Sequence, residues 1–350
     1  MFTKRVKALL SSAKADVIYI TSPENLRYFS GFTGVEGALI LSPKEQLLLT
    51  DSRYLLQAAE EAPDFAIVDV AKTKPIDCLS SYHPKTIAFE ESYVSAEAYK
   101  KLCEALPDCA WQGIDKEILL QRAVKDEEEL ACTRKAAKLA DEAFSEVLPM
   151  IKEGAAEKDI ALALEWSMRK GGAEAASFSI ICASGVRSAL PHGVATDKKL
   201  EKGDFVTMDF GCFYKGYASD MTRTVVVGKA SDRQKKIYET VLLAQETALS
   251  VLRPGLLCKE ADAAARDVIA SAGYGDCFGH SLGHGTGLLI HEQPTLSPRS
   301  EGFLTPGMLV TVEPGIYIEN FGGVRIEDLV YITEQGYENL THTDKRLLEL

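Results

Sequence analysis

Residues 206–224 read V-T-M-D-F-G-C-F-Y-K-G-Y-A-S-D-M-T-R-T, and the rest of the chain is organised around them. The flanks, Phe205–Phe210 and Tyr217–Val227, are rich in the β-branched and aromatic residues that suit strands. Gly211 and Gly216 bracket a turn. A hairpin closed near Tyr214 and Lys215 sets Asp209 opposite Asp220. Cross-strand neighbours have Cβ atoms roughly 4.5–5.5 Å apart, and like charges facing each other there are destabilising. Paired carboxylates need a compensating charge, and a bound cation is the usual source.

The pattern occurs twice. L-E-K-G-D-F-V-T-M-D-F-G begins at Leu200 and L-T-P-G-M-L-V-T-V-E-P-G at Leu304. Aligned, they share Leu, the first Gly, Val, Thr and the final Gly, and Asp209 falls on Glu313. A second turn, Glu319 to Gly323, leads to V-R-I-E-D and puts Glu327 roughly opposite Glu313. Two hairpins with facing acids imply a duplicated domain with pseudo-twofold symmetry. Either pair alone reads more readily as structural; the matched set points to a site.

A length of 350 residues suits about two domains, at ~150 residues each. Apolar content of 46% and charged content of 26% belong to an ordinary globular chain. A formal charge of −12 argues against nucleic acid or an anionic membrane surface as the main partner. No apolar run approaches the ~18 residues of a membrane span. The opening M-F-T-K-R-V-K-A-L-L reads as an amphipathic helix, too charged for a secretory segment. The 8 cysteines form no C-x-x-C pair, which excludes a zinc ribbon and predicts reduced thiols in a cytoplasmic protein.

The N-terminal part alternates strands and helices. Asp16–Ile20 is a strand, and Ser22 N-caps a helix that has Pro23 in its first turn and ends at Gly31. Gly37–Leu41 and Gln46–Thr50 form a hairpin, and Asp51 starts a helix through Ala62. His83 is a surface loop residue, and nothing in this part assembles a site. Trp111–Val124 reads as the junction, dividing the chain into 1–123 and 124–350. Beyond it, Asp126 and Glu129 make a capping box. Helices follow at about Glu157–Lys170, Lys229–Leu252 and Cys258–Ala272, with a strand at Phe178–Ala183. The order helix, helix, hairpin, helix, helix, hairpin predicts an α+β domain with helices outside a curved sheet.

Of 6 histidines, His280, His284 and His291 crowd into G-H-S-L-G-H-G-T-G-L-L-I-H-E-Q-P, between the hairpins. Neutral imidazole is the commonest metal ligand near neutral pH, and the surrounding glycines permit close approach. The H-E-x-x-H zinc motif is absent, because Thr295 stands where its second His belongs. A set rich in Asp and Glu with one or two His suits Mn²⁺, Co²⁺ or Fe²⁺ as readily as Zn²⁺, and four carboxylates suffice for two ions.

The ordered set M-D-F-G, S-D-M-T-R-T, G-H-G-T-G, H-E-Q-P, V-E-P-G-I-Y and V-R-I-E-D resembles the pita-bread metallopeptidases, in particular the prolidase and aminopeptidase P branch. The likeness spans about 125–345, and T-S-P-E-N-L-R-Y-F-S-G-F-T-G resembles that branch's N-terminal creatinase-like α/β domain. The resemblance implies metal ligands at Asp209, Asp220, His284, Glu313 and Glu327, four of which are the hairpin acids. It also implies a substrate site lined by His192, His280, His291 and Arg325, with Tyr317 at a further site position.

By the same resemblance the chain is a cytoplasmic homodimer with two divalent ions per subunit, manganese or cobalt ahead of zinc or iron. It hydrolyses Xaa-Pro bonds in dipeptides or short peptides, with Glu313 relaying the proton as general base and acid. His192 and His291 then stabilise the oxyanion or hold the proline ring, and Arg325 clamps the ligand carboxylates or contacts substrate. One departure bears on specificity. Prolidases often carry an Arg close behind H-E-x-P, whereas here Thr295 comes first and Arg299 lies further along. An aminopeptidase P acting on longer peptides is therefore the alternative, and a non-catalytic binding protein on the same fold a minor one.

Overall fold

A computed structural model describes residues 2–350, which divide into two compact units, 2–122 and 123–350. The first unit runs α1 (Phe2–Ala13), β1 (Val17–Ile20), α2 (Pro23–Ser30), β2 (Ala38–Leu41), β3 (Gln46–Thr50), α3 (Leu55–Glu61) and β4 (Ala66–Asp69). It continues through α4 (Pro75–Ser81), β5 (Thr86–Phe89), α5 (Ala96–Ala105), β6 (Ala110–Gly113) and α6 (Asp115–Ala123), which reaches the boundary. The six strands form one mixed sheet in the order β4-β3-β2-β1-β5-β6. The β2–β3 hairpin pairs Ala38 with Leu49 and Leu41 with Gln46, in the segments read as strands.

One local expectation changes and two gain detail. Ser22 occupies the N-cap of α2 but makes no side-chain cap; its hydroxyl donates instead to the buried Glu90. Asp51 does not start a helix: α3 begins at Leu55, and the Asp51 carboxylate is held by Arg53 two residues on. The division between the units falls inside Trp111–Val124, the stretch read as the junction, which is built of most of β6 and all of α6. For Ser22 and Asp51 a polar partner, Glu90 and Arg53 respectively, takes up the side chain that the local helix signal had assigned to the helix start.

The second unit runs α7 (Glu127–Val147), α8 (Glu157–Lys170), β7 (Ala175–Ala176), β8 (Ile181–Ser184), β9 (Phe205–Phe210), β10 (Cys212–Tyr214), β11 (Tyr217–Ala218) and β12 (Met221–Val226). After α9 (Asp232–Val251) and α10 (Cys258–Ser271) come β13 (Gly283–Gly285), β14 (Glu292–Leu296), β15 (Leu309–Val312), β16 (Gly315–Ile318), β17 (Gly322–Arg325), β18 (Asp328–Ile332) and β19 (Tyr337–Asn339). Asp126 caps α7 through the amides of Glu128 and Glu129, and Glu129 reciprocates to the Asp126 amide. Two sheets, β12-β9-β8 and β14-β13-β15-β18-β19, carry the two repeats.

Each helix pair packs on its own sheet. Ala136, Ala140 and Phe144 of α7 and Ile160 and Leu164 of α8 share a core with Val206, Met208, Phe210, Met221 and Val225. Ile237, Val241 and Ala244 of α9 and Ala261, Ala265 and Ile269 of α10 share another with Val310, Val312 and Val330. Strand side chains alternate between faces, so burying Val206, Met208 and Phe210 under helices turns Thr207 and Asp209 to the other side. Full burial of such aliphatic and aromatic side chains contributes about 1.5–3 kcal/mol each, which makes a one-residue slip of register costly. No helix among the described residues is long and apolar enough to cross a membrane.

Candidate metal centre

The first hairpin closes one residue later than Tyr214 and Lys215. Tyr214 pairs with Tyr217, leaving Lys215 and Gly216 as a two-residue loop. Both have positive φ, 47° and 74°, the signature of a type I′ turn that matches strand twist. The register moves by two in consequence: Asp209 lies opposite Thr222, not Asp220. Asp220 falls across from Gly211 and is the diagonal neighbour of Asp209. A shift of two keeps both acids on one face, so the carboxylates still converge. In the second hairpin Val312 pairs with Asp328 and Gly315 with Arg325, which sets Glu313 directly opposite Glu327.

The two hairpins meet through hydroxyls. Thr222 Oγ1 donates to Glu327 Oε2 at 2.6 Å, and the Glu327 amide donates to the Thr222 carbonyl at 3.1 Å. Thr224 Oγ1 donates to the Arg325 carbonyl at 2.9 Å. Asp220, His284 and Glu327 then gather, each offering one ligand atom within 4.8 Å of the others. From β13, His284 Nε2 stands 3.5 Å from Asp220 Oδ2 and 3.4 Å from Glu313 Oε1. Asp209 sits beside them, its Oδ2 accepting from Arg325 Nη2 at 2.6 Å.

This arrangement leaves charge unbalanced. Asp209 Oδ1, Asp220 Oδ1 and Glu327 Oε1 are buried and accept no hydrogen bond. Burial, followed by the neighbouring carboxylates, raises the Asp220 and Glu327 carboxyls well above their ordinary range. Burial also raises Glu313 to about 8, against the Arg325 charge. His284 is driven down to about 4, chiefly by burial, and is neutral at neutral pH. Its Nδ1 lies 3.0 Å from the Gly285 carbonyl, which can only accept, so Nδ1 carries the proton and Nε2 turns a lone pair toward the acids. Lone pairs facing lone pairs repel unless a proton or a cation stands between them. The donor set, four carboxylates and one imidazole with unpartnered oxygens, fits a divalent cation.

Around the acids runs a second set of contacts. Arg325 Nη1 donates to the Tyr317 hydroxyl at 2.8 Å and to the Pro191 carbonyl at 3.3 Å. Tyr317 in turn lies 2.9 Å from His280 Nε2. His280 Nδ1 donates to the Ser281 carbonyl at 2.8 Å, so Nε2 accepts from Tyr317. Burial, then the Arg325 charge, lowers His280 to about 4. His291 is exposed and meets the His284 ring edge-on at 4.4 Å between centroids. His192 is exposed on the loop after β8.

Two residues escaped the sequence reading. Thr222 links Glu327, Arg325 and the partner position of Asp209. Thr311 Oγ1 donates to Glu313 Oε1 at 3.2 Å and accepts from the His284 amide at 3.0 Å. The signals were present: Thr311 is a matched position of the repeat, and Thr222 follows Asp220 by two on the same face.

The chain matches the model of metallopeptidase family M24 over residues 131–334 and that of the creatinase/prolidase N-terminal domain over residues 3–124. The Xaa-Pro dipeptidase of Pyrococcus furiosus is 42% identical over 334 residues, 95% of each chain. The solved Xaa-Pro dipeptidase from Bacillus anthracis superposes with a TM-score of 0.97 at 42% identity, covering 100% of both chains. An X-Pro aminopeptidase from Thermotoga maritima gives 0.92, also at 42% identity, over 99% of this chain and 100% of its own.

Proposed function

The chain belongs to metallopeptidase family M24, and from that premise we propose that it is a metal-dependent Xaa-Pro dipeptidase. Asp209, Asp220, His284, Glu313 and Glu327 would hold the metal, as two divalent ions with manganese or cobalt preferred over zinc or iron. The observation that carries this is the trio of buried, unpartnered carboxylate oxygens around an imidazole lone pair. When bound, such ions supply Lewis acidity toward the scissile carbonyl and an activated water.

The chain's own groups do the rest. Glu313, partly exposed and held by Thr311, takes the proton of the attacking water and returns it to the leaving proline nitrogen. That nitrogen carries no hydrogen in the Xaa-Pro amide, so substrate grip through the amide N–H is unavailable. Arg325 pairs with Asp209 and fixes the Tyr317 hydroxyl, which orients a neutral His280. His192 and His291, both exposed, stabilise the oxyanion or hold the proline ring. The same reading makes the protein a cytoplasmic homodimer, with mass in solution as its check.

The test is hydrolysis of Ala-Pro by metal-stripped protein reloaded with Mn²⁺ or Co²⁺. Turnover is expected, and His284→Ala or Asp209→Ala lowers it by orders of magnitude while the fold persists. Loaded protein that never cleaves Ala-Pro, or a His284→Ala variant at wild-type rate, refutes the assignment. An aminopeptidase P activity is the second reading, favoured by the likeness to the Thermotoga maritima aminopeptidase and by Thr295 in place of an arginine. A preference for Ala-Pro-Ala over Ala-Pro would select it.

A further inference from the structure

Glu157, the first residue of α8, is completely buried, yet neither carboxylate oxygen turns to its own helix. Oε1 accepts from the Ser184 amide and hydroxyl, both at 2.8 Å, and Oε2 from the Thr196 amide at 3.0 Å and hydroxyl at 2.7 Å. Arg187 Nε adds contacts at 3.3 and 3.2 Å, and Arg187 Nη2 donates to the Val194 carbonyl at 2.7 Å. One ion pair thereby laces together both arms of the loop 185–196.

The tip between those arms meets Arg325, the guanidinium paired with Asp209. Pro191 offers its carbonyl to Arg325, and His192 follows directly, exposed. Ser188, on the near arm, accepts from the Gly323 amide at 2.8 Å, beside Tyr317 across the β16–β17 pairing. Burial alone raises the Glu157 carboxyl, but hydrogen bonds from Thr196 and Ser184 outweigh it and hold the group below its ordinary range. The carboxylate is therefore ionised and fully engaged with the loop. A residue serving only the helix would cap the first-turn amides of α8.

We propose that Glu157 is a positioning residue for substrate binding: through Ser184, Arg187 and Thr196 it fixes the loop that presents His192 to an Xaa-Pro peptide. This rests on the reading of His192 as a substrate-site group, in its role of holding the proline ring rather than the oxyanion. Glu157→Gln keeps the shape and removes the charge that both arms share. Because the acid cluster and its hydroxyl bridges are untouched, the loss falls on substrate binding rather than on the bond-breaking step.

The experiment is a double-mutant cycle on manganese-loaded protein with Ala-Pro. Glu157→Gln is expected to raise KM roughly 10-fold with kcat within roughly 3-fold of wild type. In a His192→Ala background the same substitution is expected to add almost nothing, since its effect runs through His192. Thr196→Val, which keeps the charge and loses one donor, shifts KM the same way by less and serves should Glu157→Gln not fold. Amide hydrogen exchange across 185–196 needs no turnover and is expected to quicken in both variants. Unchanged exchange and KM in a folded variant overturn the proposal, as do effects of Glu157→Gln and His192→Ala that multiply. Absence of Ala-Pro cleavage by wild-type protein would instead count against the peptidase assignment, leaving exchange to decide whether Glu157 holds the loop.

Discussion

Thr222 and Glu327, one from each hairpin, are joined twice: the Glu327 amide donates to the Thr222 carbonyl at 3.1 Å, and the Thr222 hydroxyl donates to Glu327 Oε2 at 2.6 Å. The same hydroxyl accepts from Arg325 Nε at 3.0 Å. A neutral side chain in the first repeat thus orients an acid of the second, and leaves the other oxygen of that acid free for a cation.

Thr222→Val preserves the shape and deletes the hydroxyl. Partners of metal-holding side chains typically matter by 10–100-fold in affinity, so binding of Mn²⁺ is expected to weaken by about that factor. Calorimetric titration of the metal-stripped variant measures it, and an unaltered affinity would show that Glu327 needs no such support.

The stripped protein should lose stability as pH rises. Asp220, Glu327 and Glu313 bind protons more tightly folded than unfolded, so their contribution is complete below the ordinary carboxylate pKa and is lost as pH climbs through the folded values, about 8 for Glu313. His284, lowered to about 4, acts oppositely: its contribution is present above 6.5 and lost as pH falls toward 4. Between pH 6.5 and about 8 only the carboxylates are at work. The urea midpoint of chelated protein should therefore fall across that window, and divalent metal should reverse the trend. A midpoint that rises in the stripped protein contradicts the carboxylate assignment.

Gly211, across from Asp220, has no room for a side chain. A Cβ there would lie 1.9 Å from the Ser219 carbonyl oxygen and 2.7 Å from Ser177 Oγ. Overpacking of this kind costs about 1–3 kcal/mol, and the displaced neighbour is the residue preceding Asp220. Gly211→Ala is expected to lower the thermal midpoint and the metal content together; retention of both would mean that the ribbon yields without moving the acid.

Behind the cluster, the buried Asp328 accepts from Arg223 Nη2 at 2.8 Å and Gln245 Nε2 at 2.9 Å, both buried, and from the half-buried Asn339 Nδ2 at 2.9 Å and Lys345 Nζ at 2.8 Å. Arg223 also donates to the Thr222 and Glu327 carbonyls. Removing one partner of a buried pair strands the other charge, at about 3–5 kcal/mol. Asp328→Ala should lose that much in urea unfolding of the metal-stripped protein. A loss under about 1 kcal/mol would place water, rather than Asp328, as the main partner of Arg223.

Local signals carried much of this architecture. The capping box at Asp126 and the bounds of α8 follow from residues three or four apart, and both were readable. The hairpin turn was misjudged by one residue because a lysine at positive φ gives no compositional warning. Its two-residue consequence spared the face, since strand side chains repeat every second residue. Ser22 holds the N-cap position as read, but the partner of its hydroxyl, Glu90, lies 68 positions away and gives no local signal. Thr222 and Glu157 escaped for the same reason: their partners stand 105 and 27–39 positions off.

Taken alone, the order of residues determined that the chain is duplicated, that Asp209, Asp220, Glu313 and Glu327 fall at corresponding places in two matched hairpins, and that three histidines crowd between those hairpins. Those are consequences of alternation and repetition, which any short window displays. Which oxygens are left unpartnered, which imidazole nitrogen faces them, and what holds the His192 loop were decided only by the docking of one hairpin on the other. That docking rests on hydroxyl, amide and guanidinium contacts between residues about a hundred positions apart, and a linear pattern holds no record of distance across space.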